Sequence, residues 1–333
     1  MPRTASPLVP SALCLTLLYS WFSFASATAC ADEKKDFRWD ENTPGELLLS
    51  YGDQPVLQYQ YAYDTSNEEA THNTYKVYHH LFGPGTGTLL TKGPGGLYTH
   101  HRGLYIGWNK TETDGKSYDF WHCTHGAHLR HEKIVEQAAD ENHGSMTTEI
   151  HWNDADGNAI IIEERKVTIT PRTINDSPAW QVDWQTTLHG QKPEIKLHGD
   201  RQHAGFQYRA AQSVAESNGT RYVRPAGFPE QPEAYEVDDS GDPPRHINLG
   251  WTAMTSEIEG KRYTVEYFED PTSPKPRLFS ERPYGRFGAY FATTLKQDEP
   301  LKMHYRLIVT TGETPKRDEV QKRYDEFLSD VEE

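Results

Sequence analysis

The chain is poor in cysteine and in basic residues, and both shortages exclude classes of protein. Only 3 of its 333 residues are cysteines, but a chain of this length can bury a full hydrophobic core without disulfides. Its 34 lysines and arginines face 49 acidic residues, for a net charge of −15. A nucleic-acid partner is therefore not expected, because phosphate binding needs clustered positive charge. Disorder is not expected either, because aromatic residues make up 12% of the chain.

Long apolar runs are equally scarce, since the chain has one, from Leu13 to Phe24. It is too short to cross a membrane, which takes about 20 apolar residues. The small-residue motif Ala29-Cys30-Ala31 follows it and is typical of signal-peptide cleavage. We therefore predict that residues 1–31 are a signal peptide, that the protein is exported to the periplasm or the cell exterior, and that the mature chain has no membrane span. Acylation of Cys30, which would anchor a lipoprotein, is a weaker alternative.

Helical periodicity is nearly absent until the end of the chain, whereas short runs of alternating apolar and polar residues recur throughout it. Many such runs, separated by turn residues, indicate an all-β sandwich or barrel. Near the end, Thr314 and Pro315 are typical helix-start residues, and after them Val320, Tyr324, Phe327 and Leu328 fall on one face, which predicts one helix over about residues 315–330. We expect a single domain, residues 32–333, with this helix against the sheets.

The first candidate motif is a group of basic side chains before a strand. His100, His101 and Arg102 precede the strand-like run from Leu104 to Trp108, where a loop can project them into a cleft. A histidine can transfer a proton, and an adjacent arginine can hold an anionic or hydroxylated ligand. A solvated strand end without a chemical role is the alternative.

A second motif also joins a turn to a strand. His203 stands just before Ala204 and a glycine, where the backbone can approach a ligand. In the strand that follows, Phe206 and Tyr208 share one face, and Arg209 lies on the other. A purely structural turn is the alternative.

Four histidines recur every three residues: His122, His125, His128 and His131. On a strand this spacing alternates between faces, so at most two of them share a side. Two imidazoles on one face would suit zinc, copper or iron if a third came from His100, His101 or His203. The candidate metal ligands within the run are His122, His128 and His131. An exposed polar strand edge is the alternative.

Two further groups are candidates for binding a substrate. Asp119 and Trp121 put a carboxylate beside an aromatic face, which suits a sugar ring and ordinary core packing equally well. Later in the chain, Glu281 is a candidate general acid or base, and Arg282 and Arg286 could bind a carboxylate or keep Glu281 ionised. A surface set of salt bridges is the alternative for this second group.

Taken in order, these motifs resemble a bacterial exported family that is often labelled methane oxygenase PmoA and is otherwise of unknown function. The resemblance runs from about Glu46 to Glu313 and rests on the motifs His-His-Arg-Gly-Leu, Asp-Phe-Trp, His-Ala-Gly-Phe-Gln-Tyr-Arg and Ser-Glu-Arg-x-Tyr-Gly-Arg-Phe-Gly. The matching positions are His100, His101, Arg102, Gly103, Asp119, Trp121, His131, His203, Arg209, Glu281, Arg282, Tyr284 and Arg286. The family supplies no catalytic assignment. A membrane methane monooxygenase subunit is a helical bundle, whereas this chain is β-rich, so we treat the label as a misnomer.

The number of strands, the length and the aromatic content are similar to the galactose-mutarotase-like supersandwich. That fold is a large two-sheet antiparallel structure, common among carbohydrate epimerases, lyases and hydrolases. The similarity implies an all-β fold with two large sheets and one C-terminal helix.

The leading functional prediction is an exported carbohydrate-active enzyme whose ligand is a small molecule or an oligosaccharide. In it, Glu281 and one of His100, His101 and His203 form an acid–base pair. The predicted substrate-binding residues are Arg102, Asp119, Trp121, Arg209, Arg282, Tyr284 and Arg286. Two alternatives stay open: a mononuclear metalloenzyme with histidine ligands, and a non-catalytic sugar-binding protein. The sequence admits a divalent metal and requires no cofactor.

Overall fold

The computed structural model describes residues 35–228 and 246–332, so the predicted signal peptide and Cys30 lie outside the described residues. Along the chain the strands are β1 (Phe37–Thr43), β2 (Glu46–Tyr51), β3 (Gln54–Gln60), β4 (Tyr78–Leu81), β5 (Leu104–Trp108), β6 (Lys110–Thr113), β7 (Lys116–Tyr118), β8 (His128–Ala139), β9 (Gly144–Asn153), β10 (Ala159–Ile174), β11 (Ser177–Gly190), β12 (Glu194–His198), β13 (Ala204–Arg209), β14 (Arg221–Val223), β15 (Trp251–Ile258), β16 (Lys261–Glu269), β17 (Leu278–Arg282), β18 (Arg286–Tyr290), β19 (Thr293–Lys296) and β20 (Leu301–Thr311). The helices are α1 (Glu68–Thr74), α2 (Gln212–Ser217) and α3 (Arg317–Glu332).

These strands form two large antiparallel sheets and one small one. The first sheet has eight strands in the order β1-β2-β3-β4-β5-β13-β18-β17. The second also has eight, in the order β14-β15-β16-β20-β11-β10-β9-β8, and the third has four, in the order β19-β12-β6-β7. The predicted all-β class with two large antiparallel sheets and a C-terminal helix is confirmed.

The two large sheets pack face to face through aromatic side chains. Phe206 of β13 contacts Trp184 and Tyr305 of the second sheet, with ring centroids 4.7 Å apart in both pairs. Tyr267 lies 5.7 Å from the same ring. All four residues are buried, so the core of the domain lies between these sheets.

Helix α3 covers the other face of the second sheet. Its buried residues Val320, Tyr324 and Phe327 join a small core with Trp251 and Phe268. Val320, Tyr324 and Phe327 recur at helical spacing, which is why the sequence pattern located this helix, and they pack on Trp251 and Phe268, which lie opposite each other on β15 and β16.

The sequence pattern missed the third sheet and two short helices. Helix α1 has 7 residues and α2 has 6, too few for a helical period to appear among turn residues. Asn67 caps α1 by accepting a hydrogen bond from the Ala70 amide at 2.9 Å. Among the described residues, no helix is both long enough and apolar enough to cross a membrane.

We predict that Phe327→Ala lowers the free energy of unfolding by about 3–5 kcal/mol, because truncating a buried aromatic side chain leaves a cavity. Phe327 is fully buried in the contact between α3 and the second sheet. The measurement is chemical denaturation of both proteins. Lys322→Ala, on the exposed side of the same helix, should change the free energy of unfolding by less than about 0.5 kcal/mol. Equal effects of the two substitutions would contradict the packing of α3 described above.

Candidate functional site

The face of the first sheet that is turned away from the core, here called the outer face, carries polar side chains at its centre. Because side chains alternate along a strand, Phe206 and Tyr208 of β13 point into the core and Arg209 points outward. Arg209 lies opposite Arg286 of β18 in the strand register. Tyr105 of β5 lies on the same outer face. These three side chains form the floor of the site.

Three loops fold across this floor. They are residues 93–103, 119–127 and 199–203, and they carry His100, His122 and His203. The second loop approaches the sheet closely at Gly107, where a Cβ atom would lie 2.5 Å from the carbonyl oxygen of Phe120. A residue with a side chain at position 107 would therefore push the His122 loop away from the sheet.

The three histidines converge. One ring nitrogen from each of His100, His122 and His203 lies within 4.8 Å of the other two. The ring centroids of His122 and His203 are 4.7 Å apart, and His100 lies 5.0 Å from His122. All three residues are half-buried, so a ligand between them remains within reach of solvent.

Aspartates orient two of these rings. Asp119 accepts a hydrogen bond from Nδ1 of His122 at 2.8 Å, and Asp200 does the same for His203 at 2.9 Å. A carboxylate at Nδ1 assigns the proton to that nitrogen and leaves Nε2 as a free lone pair. Burial alone would raise the pKa of Asp200, but the hydrogen bonds from His203, Gln202 and Asn109 and the charge of His203 together outweigh it, and the pKa falls to about 2. Asp200 is thus a permanent anion behind its histidine.

His100 is held neutral by its surroundings. Its Nε2 is buried and has no hydrogen-bond partner among the described residues. Burial lowers the pKa of His100 to about 3, and the nearby positive charge of Lys76 adds to that effect. A neutral imidazole with an unpartnered nitrogen is the form that ligates a transition metal.

Three buried cations lie beside the histidines: Lys76, Arg102 and Arg209. Lys76 donates to the carbonyl oxygen of Trp121 and lies 4.2 Å from the ring centroid of Tyr105. Burial, reinforced by the two arginines, lowers the pKa of Lys76 to about 7. The sequence reasoning missed this lysine, and the signal was its position inside the apolar run Tyr75-Lys76-Val77-Tyr78.

An aromatic group stands at the edge of the site. The rings of Tyr98 and Tyr284 are 4.6 Å apart, and Tyr98 also stacks on His101 at 4.8 Å. Tyr98 is 40% exposed. Deeper in the site, the guanidinium of Arg209 lies 5.1 Å from the ring centroid of Trp121. The structure therefore brings together most of the residues predicted from the first two motifs and from Asp119 and Trp121.

Glu281 is not brought to the histidines. It lies opposite Phe287 in the strand register, and Phe287 lies opposite Tyr208, so all three side chains point into the core. The carboxylate is fully buried and accepts hydrogen bonds from Arg224 at 2.7 Å and from Thr252. The predicted pairing of Glu281 with a histidine therefore needs correction, because strand alternation puts it on the other face of the sheet.

The residues around Glu281 divide between the two faces. Arg282 and Arg286 lie opposite each other on the outer face, and the Arg282 guanidinium donates to the carbonyl oxygen of Glu281 at 2.8 Å. Arg286 lies 5.9 Å from the ring centroid of Tyr284. Of this motif, Tyr284 and Arg286 border the site, and Glu281 belongs to the core.

His128 and His131 also lie apart from the cluster. His128 bonds to the Gly126 carbonyl oxygen at 3.0 Å, and His131 contacts the Tyr59 hydroxyl at 3.2 Å. The expected grouping of histidines assumed one strand from residue 118 to 131. In the structure β7 ends at Tyr118 and β8 begins at His128, so His122 lies on a loop. Its spacing from the other histidines therefore does not show which face of a strand it shares with them.

We predict that Glu281→Gln lowers the free energy of unfolding by about 3–5 kcal/mol at pH 7, because it leaves Arg224 buried beside a neutral partner. Burial would raise the pKa of Glu281, but Arg224 and His246 outweigh it and the pKa is lowered. A lowered pKa means that the carboxylate stabilises the fold above the pKa of the unfolded carboxyl, and that this contribution is lost as the pH falls through the folded pKa.

The measurement is denaturation of both proteins across acidic and neutral pH. The difference between them should shrink as the pH falls. Glu257→Gln, at an exposed position of β15, is the control and should change little. A stable Glu281→Gln protein would contradict the structural role assigned to this carboxylate.

Comparisons with known proteins name no activity for this chain. A search of curated proteins finds no match. Similar solved structures include a candidate aldose 1-epimerase from Escherichia coli K12, at 9% identity and a TM-score of 0.34, with 82% of this chain and 98% of that chain covered. A protein from Synechocystis sp. PCC 6803 has 10% identity and a TM-score of 0.36, with 83% and 96% covered.

A heparinase III is also similar, at 10% identity and a TM-score of 0.32, with 84% of this chain covered. This chain spans 34% of that protein's length. At such scores the overlap is partial, and the activities of these proteins are not carried over. The sequence profile of a family of unknown function, DUF6807, matches residues 46–325, and the chain belongs to that family.

Proposed function

We propose that the protein is an enzyme with a mononuclear transition-metal centre, held by His100, His122 and His203, that acts on a hydroxylated substrate of the sugar class. The observation that carries the proposal is the convergence of three imidazoles, two of them backed by aspartates. Carboxylates that hold Nδ1 of metal-binding histidines fix the ring orientation and increase its basicity. Such pairs are typical of metal sites and cost conformational freedom in a site without one.

The ligand set favours a catalytic centre over a structural one. Structural zinc sites are closed by four protein ligands, whereas three protein ligands leave a position for water or substrate. Among the described residues, these three histidines are the group of metal-ligating side chains that is close enough to hold one ion. A bound divalent ion would polarise a carbonyl oxygen or lower the pKa of a water molecule.

The surrounding residues support a sugar-class substrate. Tyr98, beside Tyr284 at the edge of the site, is 40% exposed, and an exposed aromatic ring can pack against the flat apolar side of a sugar ring. Arg102, Arg209 and Lys76 can donate hydrogen bonds to the hydroxyl groups and charged oxygens of a sugar. This part of the proposal depends on the chemistry of the side chains alone.

A second candidate is metal-free acid–base catalysis on the same substrate class. His203 with Asp200, and His122 with Asp119, are histidine–carboxylate pairs that can take up and release a proton. Activity that survives removal of all metal by a chelator would favour this candidate. The resemblance to the family labelled methane oxygenase and the export of the protein stay predictions.

We predict that the purified protein binds about one transition-metal ion per chain, since the three imidazoles form one site. Asp200→Asn should lower the affinity by about 10- to 100-fold, because the aspartate orients His203. His203→Ala should lower the affinity further. The measurement is metal analysis after loading with Zn²⁺, followed by a competition titration against a chelator.

The matched control is His125→Asn. His125 lies on the same loop as His122, is exposed, and has a φ of 54°, a conformation that asparagine tolerates. It should bind metal as the unmodified protein does. If the unmodified protein retains no more Zn²⁺, Co²⁺, Mn²⁺ or Fe²⁺ than His203→Ala does, the metal proposal is wrong.

A further inference from the structure

The three basic side chains beneath the histidines lack carboxylate partners among the described residues. Lys76, Arg102 and Arg209 are 2%, 1% and 2% exposed. Within the described parts of the chain, none of them forms an ion pair with a carboxylate. Arg102 donates to the carbonyl oxygens of Thr99, His101 and His72, and Lys76 donates to a carbonyl oxygen as well. Carbonyl oxygens accept these hydrogen bonds but do not neutralise the charge.

Three buried arginines elsewhere in the chain are paired with carboxylates. Arg165 lies 2.7 Å from Glu163, and Arg224 lies 2.6 Å from Glu281. Arg306 also lies 2.7 Å from an aspartate. An uncompensated buried charge costs several kcal/mol, which is why paired arginines are the ordinary arrangement. The unpaired group beside the histidines is therefore a local departure within this same protein.

The nearby acids are already occupied. Asp119 Oδ1 accepts the backbone amides of Trp121 at 2.9 Å and His122 at 2.7 Å, while its Oδ2 holds the His122 ring. Asp200 is held in the same way by His203 and by the amide of Gln202. Neither carboxylate is left to pair with Lys76 or Arg209, and a metal ion at the histidines would add further positive charge.

Two arginine donors remain unused. Nε of Arg209 and Nε of Arg102 are buried and have no hydrogen-bond partner among the described residues. The other Arg209 nitrogens donate to the side chain of Gln207 at 2.6 Å and to the carbonyl oxygen of Gln202 at 3.1 Å. The guanidinium is thus fixed in place with one donor left over.

We propose that Lys76 and Arg209 form an oxyanion subsite next to the three histidines, which receives a carboxylate or a sulfate or phosphate ester of the substrate. This rests on the proposed function for the reaction itself but requires only that the same site binds its substrate. Guanidinium and ammonium groups match such oxygens, and a low-dielectric surrounding strengthens the contact. With this subsite, the proposed substrate class is narrowed from sugars in general to acidic sugars.

The test is calorimetric titration of the full-length, metal-loaded protein with matched sugars: glucuronate, galacturonate, glucose 6-sulfate, glucose 6-phosphate and neutral glucose. Inorganic sulfate and phosphate are titrated in parallel. At least one acidic sugar should bind about 10- to 100-fold more tightly than glucose, because a charge-assisted hydrogen bond is added. Which acidic sugar binds best distinguishes a carboxylate from an ester.

Variants connect the binding to the subsite. Lys76→Met keeps the length of the side chain and removes its charge, so it should lose about 10-fold or more of the affinity for the acidic sugar and none for glucose. Arg209→Lys keeps the charge and loses the planar donors, and it should weaken binding less if the protein stays folded by circular dichroism. Lys116→Met, at an exposed position of β7, is the matched control and should bind as the unmodified protein does.

The two proposals fail separately. Acidic sugars that bind in a Lys76-dependent way to a protein that retains no more metal than His203→Ala after loading would support the subsite and overturn the metal centre. A protein that binds one metal ion but does not favour acidic over neutral sugars would overturn the subsite and leave the metal centre standing. Inorganic sulfate or phosphate that binds as tightly as every acidic sugar would also overturn the subsite, since the sugar part of the substrate would then add nothing to the binding of the ion. No binding across the panel at millimolar concentration would likewise overturn the subsite.

Discussion

The two-residue alternation of β13 joins the core of the protein to its candidate site. The aromatic ring of Phe206 lies among Trp184 and the tyrosines of the second sheet. Tyr208, two residues further along the strand, faces the same core. Arg209 lies on the opposite side of the same strand, beneath Trp121. A shift of register by one residue would exchange the two faces and put a guanidinium into the aromatic core. Packing of the sheets therefore fixes the floor of the site as well.

The same alternation separates two kinds of buried charge. Toward the core, Glu281 and Arg224 neutralise each other at 2.6 Å, as expected where no solvent or ligand reaches. Toward the outer face, the carboxylates accept hydrogen bonds from histidine rings and loop amides. The basic side chains there donate to carbonyl oxygens instead. The net charge of the chain is −15, but the buried side chains on the outer face of the first sheet are thus mostly basic. Exposed acidic groups far from the site are screened by salt, whereas buried basic side chains are screened much less, so the site can attract an anion despite the negative net charge of the chain.

The fold was largely predictable because its signal is periodic. Alternating runs gave the all-β class, and Val320, Tyr324 and Phe327 gave the C-terminal helix. Periodicity also located Arg209 on the face opposite Phe206. It failed for Glu281, since nothing in the sequence says which face of β17 is turned to the second sheet. It failed again for the histidines between β7 and β8, where a strand was assumed across a loop.

The site residues that were missed lie on segments where local pattern has no fixed meaning. Lys76 stands among apolar residues, and only the three-dimensional fold shows that its amine reaches the carbonyl oxygen of Trp121. Asp200 appeared in the sequence as an ordinary turn residue, and its contact with Nδ1 of His203 depends on how that turn closes. Loops bring functional side chains together that are distant in sequence. Residue types can therefore indicate candidate site residues, but their spacing does not show which of them lie together.

Burial increases from the edge of the site to its floor, and the chemistry changes with it. Tyr98 at the edge is 40% exposed, the three histidines are half-buried, and Arg209 at the floor is 2% exposed. On the proposed function, a ligand that enters past the aromatic rings would meet the histidines before the basic side chains. Its charged end can therefore reach the floor while its ring stays against the tyrosines, which leaves the bonds between those two ends beside the imidazoles. On the proposed function, the aromatic rings would hold a sugar ring, the basic side chains would hold its charge, and the histidines would act on the bonds between them.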